Sequence, residues 1–313
     1  MQINQLHYFV VLEKYGSFSK AAEKLNISQP ALSLQMQRLE EELGYKLLNR
    51  NRKPFCLTAE GTLFLERACR IVNLVDGLYH LAIETAEEVS GYLRVGIIPT
   101  VAPYIVPLFM NTLLASYPKL HLEIMELKTE EITNKLKRGD IDCGLLATPI
   151  KNNKLLKRPL FYERFYLYVS DKHPLYAKEK VSIMDINLNE LWYLQEGNCF
   201  QNQVDSICQL AGQTDKEQHL VYLSNSIESL RRIVEHKNGI TFIPELATIN
   251  VPSDLEDLIK PIGDSSPLRE ISMVTTAWNT KERQVEALTE MILQNIPKSM
   301  RVKPEGFILD TLV

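Results

Sequence analysis

The sequence predicts a multidomain chain: a small α+β head, a long helix, and a larger α/β body. Three observations predict it. The first 58 residues hold short, well-capped helical segments followed by a basic turn between two apolar stretches. Residues 59–90 then carry apolar side chains at alternating spacings of four and three. From residue 92 onward, strand-forming runs alternate with amphipathic helical ones. At 313 residues the chain is long enough to bury more than one core.

The first helix is predicted over residues 4–15, where Leu6, Phe9, Val10 and Glu13 fall at helical spacing and Gly16 ends the run. Ser19 opens a second helix through Leu25, and Asn26-Ile27 form a tight turn. Ser28 is the N-cap of a third helix, with Pro30 in the first turn, where its missing N–H costs little. Leu32, Met36, Leu39 and Leu43 form one stripe toward the core, and the opposite face presents Gln29, Ser33 and Gln37. Two short helices, a turn and a capped third helix with an amide-rich leading face make a helix-turn-helix. Ser28, Gln29, Pro30, Ser33 and Gln37 would meet the major groove, where amides and hydroxyls pair with base edges. After Gly44, YKLLNRNRKPFCLT reads as two short strands around a basic turn, a wing. Its Arg50, Arg52 and Lys53 would hold phosphates and set register.

Charge follows the same division. Residues 1–70 hold 10 Lys/Arg against 7 Asp/Glu, within a chain of formal net charge −4. A basic head on an acidic body suits a nucleic-acid reader joined to something else. Thr58 caps the next helix, in which Phe64, Ala68, Ile71, Val75, Leu78 and Ala82 form a heptad seam that calls for a partner helix. A dimer is what a two-fold symmetric DNA reader requires. The acidic ETAEEVSG closes this segment at Gly91, a hinge.

In the body, YLRVGII, HLEIMEL, DCGLLA, FYLYV, LWYLQ, HLVYL, GITFIP and ISMVTTA read as strands. TEEITNKLKRG, SIESLRRIVEHK and KERQVEALTEMILQNI read as helices, and the alternation argues for mostly parallel sheets. No apolar run approaches the roughly 20 residues that span a bilayer, and the N-terminus lacks the features of a signal peptide. A cytoplasmic protein without membrane contact is expected. No phosphate loop or nucleophile–base motif appears, so an enzyme is not expected; nor is a cofactor. The five cysteines, Cys56, Cys69, Cys143, Cys199 and Cys208, show no zinc spacing. Their odd number in a reducing compartment argues against a structural disulfide framework. Cys56, Cys69 and Cys143 sit in apolar settings that favour core packing.

The run FSKAAEKLNISQPALSLQMQRLEEELGYKLLNR resembles the LysR-type regulator signature through its AA-x-x-L, SQPALS and LEEELG segments. The resemblance implies a winged helix-turn-helix (1–58), a dimerising linker helix (59–90) and a periplasmic-binding-protein-like regulatory domain (91–300). That domain would have two subdomains, 91–162 with 268–300 and 163–267, with chain crossovers near 162–164 and 266–268. Residues 301–313 form a C-terminal tail with no role evident from pattern. Promoter DNA, RNA polymerase, a homodimer and a homotetramer are the implied partners.

Within that family, EGNCFQNQVDSIC, IPTVAPY, GDIDCGLLA and SIESLRRIVEHKNGITFIPE resemble the OxyR-type branch of hydrogen peroxide sensors, which activate antioxidant genes. The resemblance implies that Cys199 is the peroxidatic thiolate and Cys208 the resolving thiol. It also implies a glutaredoxin or thioredoxin as reductant. A thiol attacks peroxide as thiolate, and a cysteine at a helix N-terminus feels the positive end of the macrodipole. Were residues 199–208 one helix, the two Cα atoms would lie about 13 Å apart on opposite faces. A disulfide needs them within about 7 Å. The bond therefore requires this segment to unwind, which is the expected switch.

The same resemblance places Thr100, Thr129, Asn198, Gln203 and Arg269 in the peroxide pocket. Hydroxyls and amides would orient the oxidant, and the guanidinium would favour S⁻. OxyR-type proteins commonly have His before the peroxidatic cysteine. Here Asn198 stands there, which can hydrogen-bond but cannot titrate. A regulator responding to a metabolite in the inter-subdomain cleft is the alternative reading. A solute-binding protein or enzyme of the same fold would leave residues 1–58 unexplained.

Overall fold

The computed structural model describes residues 1–50, 54–83, 89–152, 154–194, 199–210, 222, 224, 226–263 and 267–311. They divide into two compact units. One comprises Met1–Glu88 with Asn134–Asp142 and Trp278–Glu282; the other Val89–Thr133, Cys143–Ala277 and Arg283–Val313.

The head begins with α1 (Ile3–Tyr15), which Gly16 stops by taking the left-handed conformation at φ 59°. The helix α2 (Phe18–Lys24) starts one residue before the expected opener, because Ser17 rather than Ser19 holds the extended N-cap position. Asn26 makes the turn with φ 53°, a conformation asparagine tolerates better than most residues. The third helix, α3 (Gln29–Leu43), is closed at both ends. Ser28 Oγ accepts from the Ala31 N–H at 3.3 Å, and Gly44 ends it left-handed at φ 77°. Leu32, Met36 and Leu39 are fully buried, whereas Leu43 is only half-buried. The strands β1 (Leu48–Asn49) and β2 (Cys56–Leu57) pair antiparallel beneath the wing. Arg52 and Lys53 lie outside the described residues.

The long helix α4 (Ala59–Ile83) is capped by Thr58, whose Oγ1 accepts from the Gly61 N–H at 2.9 Å. The expected seam is corrected here. Ala68 is buried with Leu65, Cys69 and Val72 in one core with Phe9, Leu12 and Leu39, and Phe64 packs against that core. Phe64, Leu65, Ala68, Cys69 and Val72 thus face the helix's own head, while Leu63 stays exposed. Farther along, Ile71, Leu74 and Leu78 remain exposed at spacings of three and four, and these form the outward apolar row. The side chain of Ala82 lies outside the described residues.

The second unit contains β3 (Gly91–Ile97), α5 (Ala102–Ser116), β4 (Leu120–Glu126), α6 (Thr129–Arg138, continuing into the first unit), β5 (Cys143–Thr148) and β6 (Leu155–Val169). After these come α7 (Cys199–Leu210), α8 (Ile227–His236), β7 (Ile240–Pro244), β8 (Ile259–Pro261), β9 (Pro267–Thr276), α9 (Glu282–Asn295) and β10 (Phe307–Ile308). Strand order is β4-β3-β5-β9-β6-β7, with β10 on β9 and β8 on β6. The sheet is mixed rather than mostly parallel. β3 is parallel to β4 and β5, but β9 runs antiparallel to β5 and β6, and β6 antiparallel to β7 and β8. The reason is β6 itself. It pairs with β9 as far as Arg164↔Leu268 and from Phe165 onward with β7. One strand thus serves two sheets.

One further expectation fails locally. The run LWYLQ is not a strand as far as it is described: Leu191 makes an isolated bridge to Ile240, and the Trp192 carbonyl accepts from the Thr241 hydroxyl at 3.0 Å. HLVYL lies largely outside the described residues. Conversely, α5 is a helix that the sequence pattern did not assign. Pro103 sits in the first turn, and Ile105, Phe109 and Leu113 bury one face. Among the described residues no helix is long and apolar enough to cross a membrane.

Candidate functional site

On the head, the leading face of α3 is open to solvent. Ser28, Gln29, Pro30 and Gln37 are exposed and Ser33 is half-buried. Gln37 Nε2 donates to Glu41 at 2.8 Å, which extends its amide along the helix surface. The rigidity behind this face comes from Glu40. Its side chain is buried, and it accepts from the N–H groups of Leu47 at 2.9 Å and Leu48 at 3.1 Å, clamping α3 to the base of the wing. Arg50 is not a free wing cation. Its guanidinium lies 3.5 Å from Glu40 and 5.5 Å over the Phe18 ring, while 40% of its side chain stays exposed.

In the second unit, Cys199 is the first residue of α7 and Cys208 the tenth. Both are buried, and neither is in a disulfide. Along one helix their Cα atoms are separated by about 13 Å, and Cys208 packs with Val204, Ile207 and Leu230 in the core. The sulfurs therefore cannot meet while α7 stays helical. Gln203 stands one turn after Cys199. Its Nε2 donates to the Leu309 carbonyl at 3.3 Å, and its Oε1 is buried without a partner among the described residues. Thr129 begins α6, with a buried hydroxyl that likewise has no partner there. Asn198 lies outside the described residues.

Arg269, fully buried on β9, gathers much of the rest. Its Nη2 donates to the Thr100 hydroxyl, and its Nη1 lies 3.4 Å from Glu163. Its Cζ stands 5.2 Å from the ring centre of Phe200, next in sequence to Cys199. The Nε donor has no partner among the described residues. A guanidinium with its buried carboxyl partner, a hydroxyl and an aromatic ring beside the start of a helix make a water-poor, polar setting. Such a setting suits a developing anion and a small ligand that both donates and accepts hydrogen bonds. Thr100 and Arg269 are brought together directly. Thr129 and Gln203 contribute buried polar atoms from their own elements.

Residues 86–297 match the LysR substrate binding domain, and residues 3–62 match the bacterial regulatory helix-turn-helix of the lysR family. The chain belongs to the LysR family. It is 33% identical over 296 residues to the hydrogen peroxide-inducible genes activator of Haemophilus influenzae, covering 93% of this chain and 97% of that protein. It is 33% identical over 294 residues to the DNA-binding transcriptional dual regulator OxyR of Escherichia coli, covering 93% and 95%. Among solved structures it is similar to full-length OxyR of Pseudomonas aeruginosa carrying a cysteine-to-aspartate substitution. There the TM-score is 0.79 at 28% identity, over 95% of this chain and 99% of that one. Reduced OxyR of Porphyromonas gingivalis matches with a TM-score of 0.62 at 28% identity, over 69% and 99%.

Within this LysR-family frame, three features escaped the sequence reading. Glu163 is the cross-strand neighbour of Arg269 in the β6–β9 register, so an acidic residue opposite the arginine was the available signal. Burial pushes its carboxyl above the ordinary range, against the pull of Arg269 and the Leu246 N–H. Phe200, beside Cys199, supplies the ring. The C-terminal tail reaches α7 through Leu309 and Thr311. Cys69 behaves as a core residue, its thiol pushed up to about 12 chiefly by burial.

Proposed function

We propose that this LysR-family chain is a hydrogen-peroxide-sensing, DNA-binding transcriptional regulator, switched by a reversible Cys199–Cys208 disulfide and controlling antioxidant genes. The observation that carries the reading is the placement of two buried cysteines, neither in a disulfide, on one helix. The first sits at its start, beside the residue whose ring faces Arg269. The peroxide-inducible activators to which the chain is similar along almost its whole length support the same reading.

The Cys199 thiolate attacks one oxygen of H2O2. The O–O bond breaks, the sulfur becomes a sulfenic acid, and the other oxygen leaves as water after taking a proton. The Cys208 thiol then attacks that sulfur, and the S–S bond forms as the sulfenic oxygen departs as a second water. Thr100, Thr129, Asn198 and Gln203 orient the oxidant, and Arg269 with the start of α7 offsets the negative charge. Because α7 must unwind for the second step, oxidation remodels this segment, and the change is read out in how paired heads sit on promoter DNA. Ser28, Gln29, Pro30, Ser33 and Gln37 read bases while Arg50, Arg52 and Lys53 hold phosphates. The exposed row on α4 supplies the dimer seam, and a thiol reductant resets the switch in the cytoplasm. Pairing into tetramers and contact with RNA polymerase follow the family pattern.

The test is direct. Reduced protein treated with one equivalent of H2O2 forms a Cys199–Cys208 disulfide by peptide mass spectrometry, and Cys199→Ser abolishes the peroxide response in cells. A Cys199→Ser strain that still responds overturns the reading.

A further inference from the structure

The tail has no role evident from its sequence, yet it is tied to the helix that carries both thiols. β10 lies parallel on β9, with Phe307 beside Pro267 and Ile308 beside Leu268, and the Leu309 N–H donates to the Leu268 carbonyl at 2.9 Å. The Leu309 side chain enters the core that holds Cys208, Val204 and Ile207. Thr311 is fully buried, and its hydroxyl donates to the Pro149 carbonyl. Two side chains of α7 reach onto this anchored strand. Asn202 Nδ2 donates to the Thr311 carbonyl at 2.9 Å, and Gln203 Nε2 to the Leu309 carbonyl at 3.3 Å. Both donors lie between Cys199 and Cys208, in the stretch that must leave its helical path before the sulfurs can meet.

We infer that residues 307–311 are a latch on α7 that sets how readily the disulfide forms, with Asn202 a positioning residue for the resolving step. The inference rests on the Cys199–Cys208 reading above. The two acceptor carbonyls are held by β9, by the core and by Pro149, so they do not follow the helix when it unwinds. Asn202 and Gln203 must then release them or pull the tail from its place. Either way the bonds favour the dithiol form, and each such bond weighs the equilibrium severalfold. A tail that merely covers the core would stabilise reduced and oxidised forms alike and leave the equilibrium between them unchanged.

Full-length protein equilibrated in graded glutathione buffers reports that equilibrium. Two glutathione thiols become glutathione disulfide and transfer two electrons and two protons to the Cys199–Cys208 bond, and the reverse reaction re-forms it. Asn202→Ala is expected to raise the disulfide-forming constant between threefold and tenfold. A tenfold rise corresponds to a midpoint potential about 30 mV more negative. Thr311→Val, nearly isosteric, shifts it in the same direction by less and carries the test should Asn202→Ala fold poorly. In the reduced state, amide hydrogen exchange across residues 200–208 is expected to quicken in both variants. An unchanged midpoint in folded variants overturns the latch. Should the parent protein form no Cys199–Cys208 bond at any ratio, the sensor reading falls. Exchange then decides the latch alone, and unaltered exchange over 200–208 overturns it.

Discussion

α3 and α7 are helices of 15 and 12 residues built in opposite ways. α3 is closed by the Ser28 cap, by Pro30 in its first turn and by left-handed Gly44, and most of its residues are strong helix formers. α7 is composed largely of weak formers, among them Asn202, Val204, Asp205, Ser206 and Ile207. Its Ser206 hydroxyl donates back to the Asn202 carbonyl at 2.9 Å, a bond that loosens helices. Phe200, Val204 and Ile207 bury it, and Asn202 and Gln203 tie it down. α3 adds order from its own caps and composition to the packing of its buried stripe, and can serve as a fixed template. α7 draws its order from neighbours, whose contacts can be given up when chemistry requires.

The largest effect that sharpens this contrast concerns the surroundings of α7. Burial keeps the Glu163 carboxyl protonated at pH values where the unfolded chain has already lost that proton. The folded state then binds more protons, so stability falls as pH rises from the ordinary carboxylate range to about 7 and levels off above it, by up to about 1.4 kcal/mol per pH unit within that window. Urea unfolding at a series of pH values should show that fall in the parent and its absence in Glu163→Gln; parallel profiles would contradict the assignment. Next in size, Ser28→Ala should cost the head about 1 kcal/mol in thermal unfolding and leave the glutathione equilibrium of the thiols where it was. A redox shift in that variant breaks the contrast, because a fixed template should not speak to α7 through its cap. Smallest, Ser206→Ala should favour the helix by about 0.5 kcal/mol, lowering the disulfide-forming constant roughly two- to threefold. A rise would mean that the helical form of α7 does not oppose the bond.

What could be read from sequence follows the range of the forces involved. The caps and stripes of α1 to α3 are signals within one or two turns, and they place those helices to within a residue or two. Thr58 marks the start of α4 for the same reason. The inward packing of Ala68 was hidden, because a heptad does not say whether its partner is another chain or its own head. Strand direction is equally silent in local pattern, so the antiparallel course of β6 and β9 was missed, and α5 went unassigned. At the site, the resemblance singled out Thr100 and Arg269, which the structure joins. Glu163 lies 106 residues from Arg269 and Leu309 the same distance from Gln203. Only the register of the folded sheet and the course of the tail bring them in.

Gly61 has one more consequence. A Cβ there would stand 2.1 Å from the Leu47 carbonyl oxygen, which leaves room for no side chain, and the Thr58 N–H and hydroxyl already hold the Leu47 and Lys46 carbonyls. The linker is in effect keyed into the root of the wing like a shaft into its hub. Torque applied along its first turns must carry the root of the wing with it.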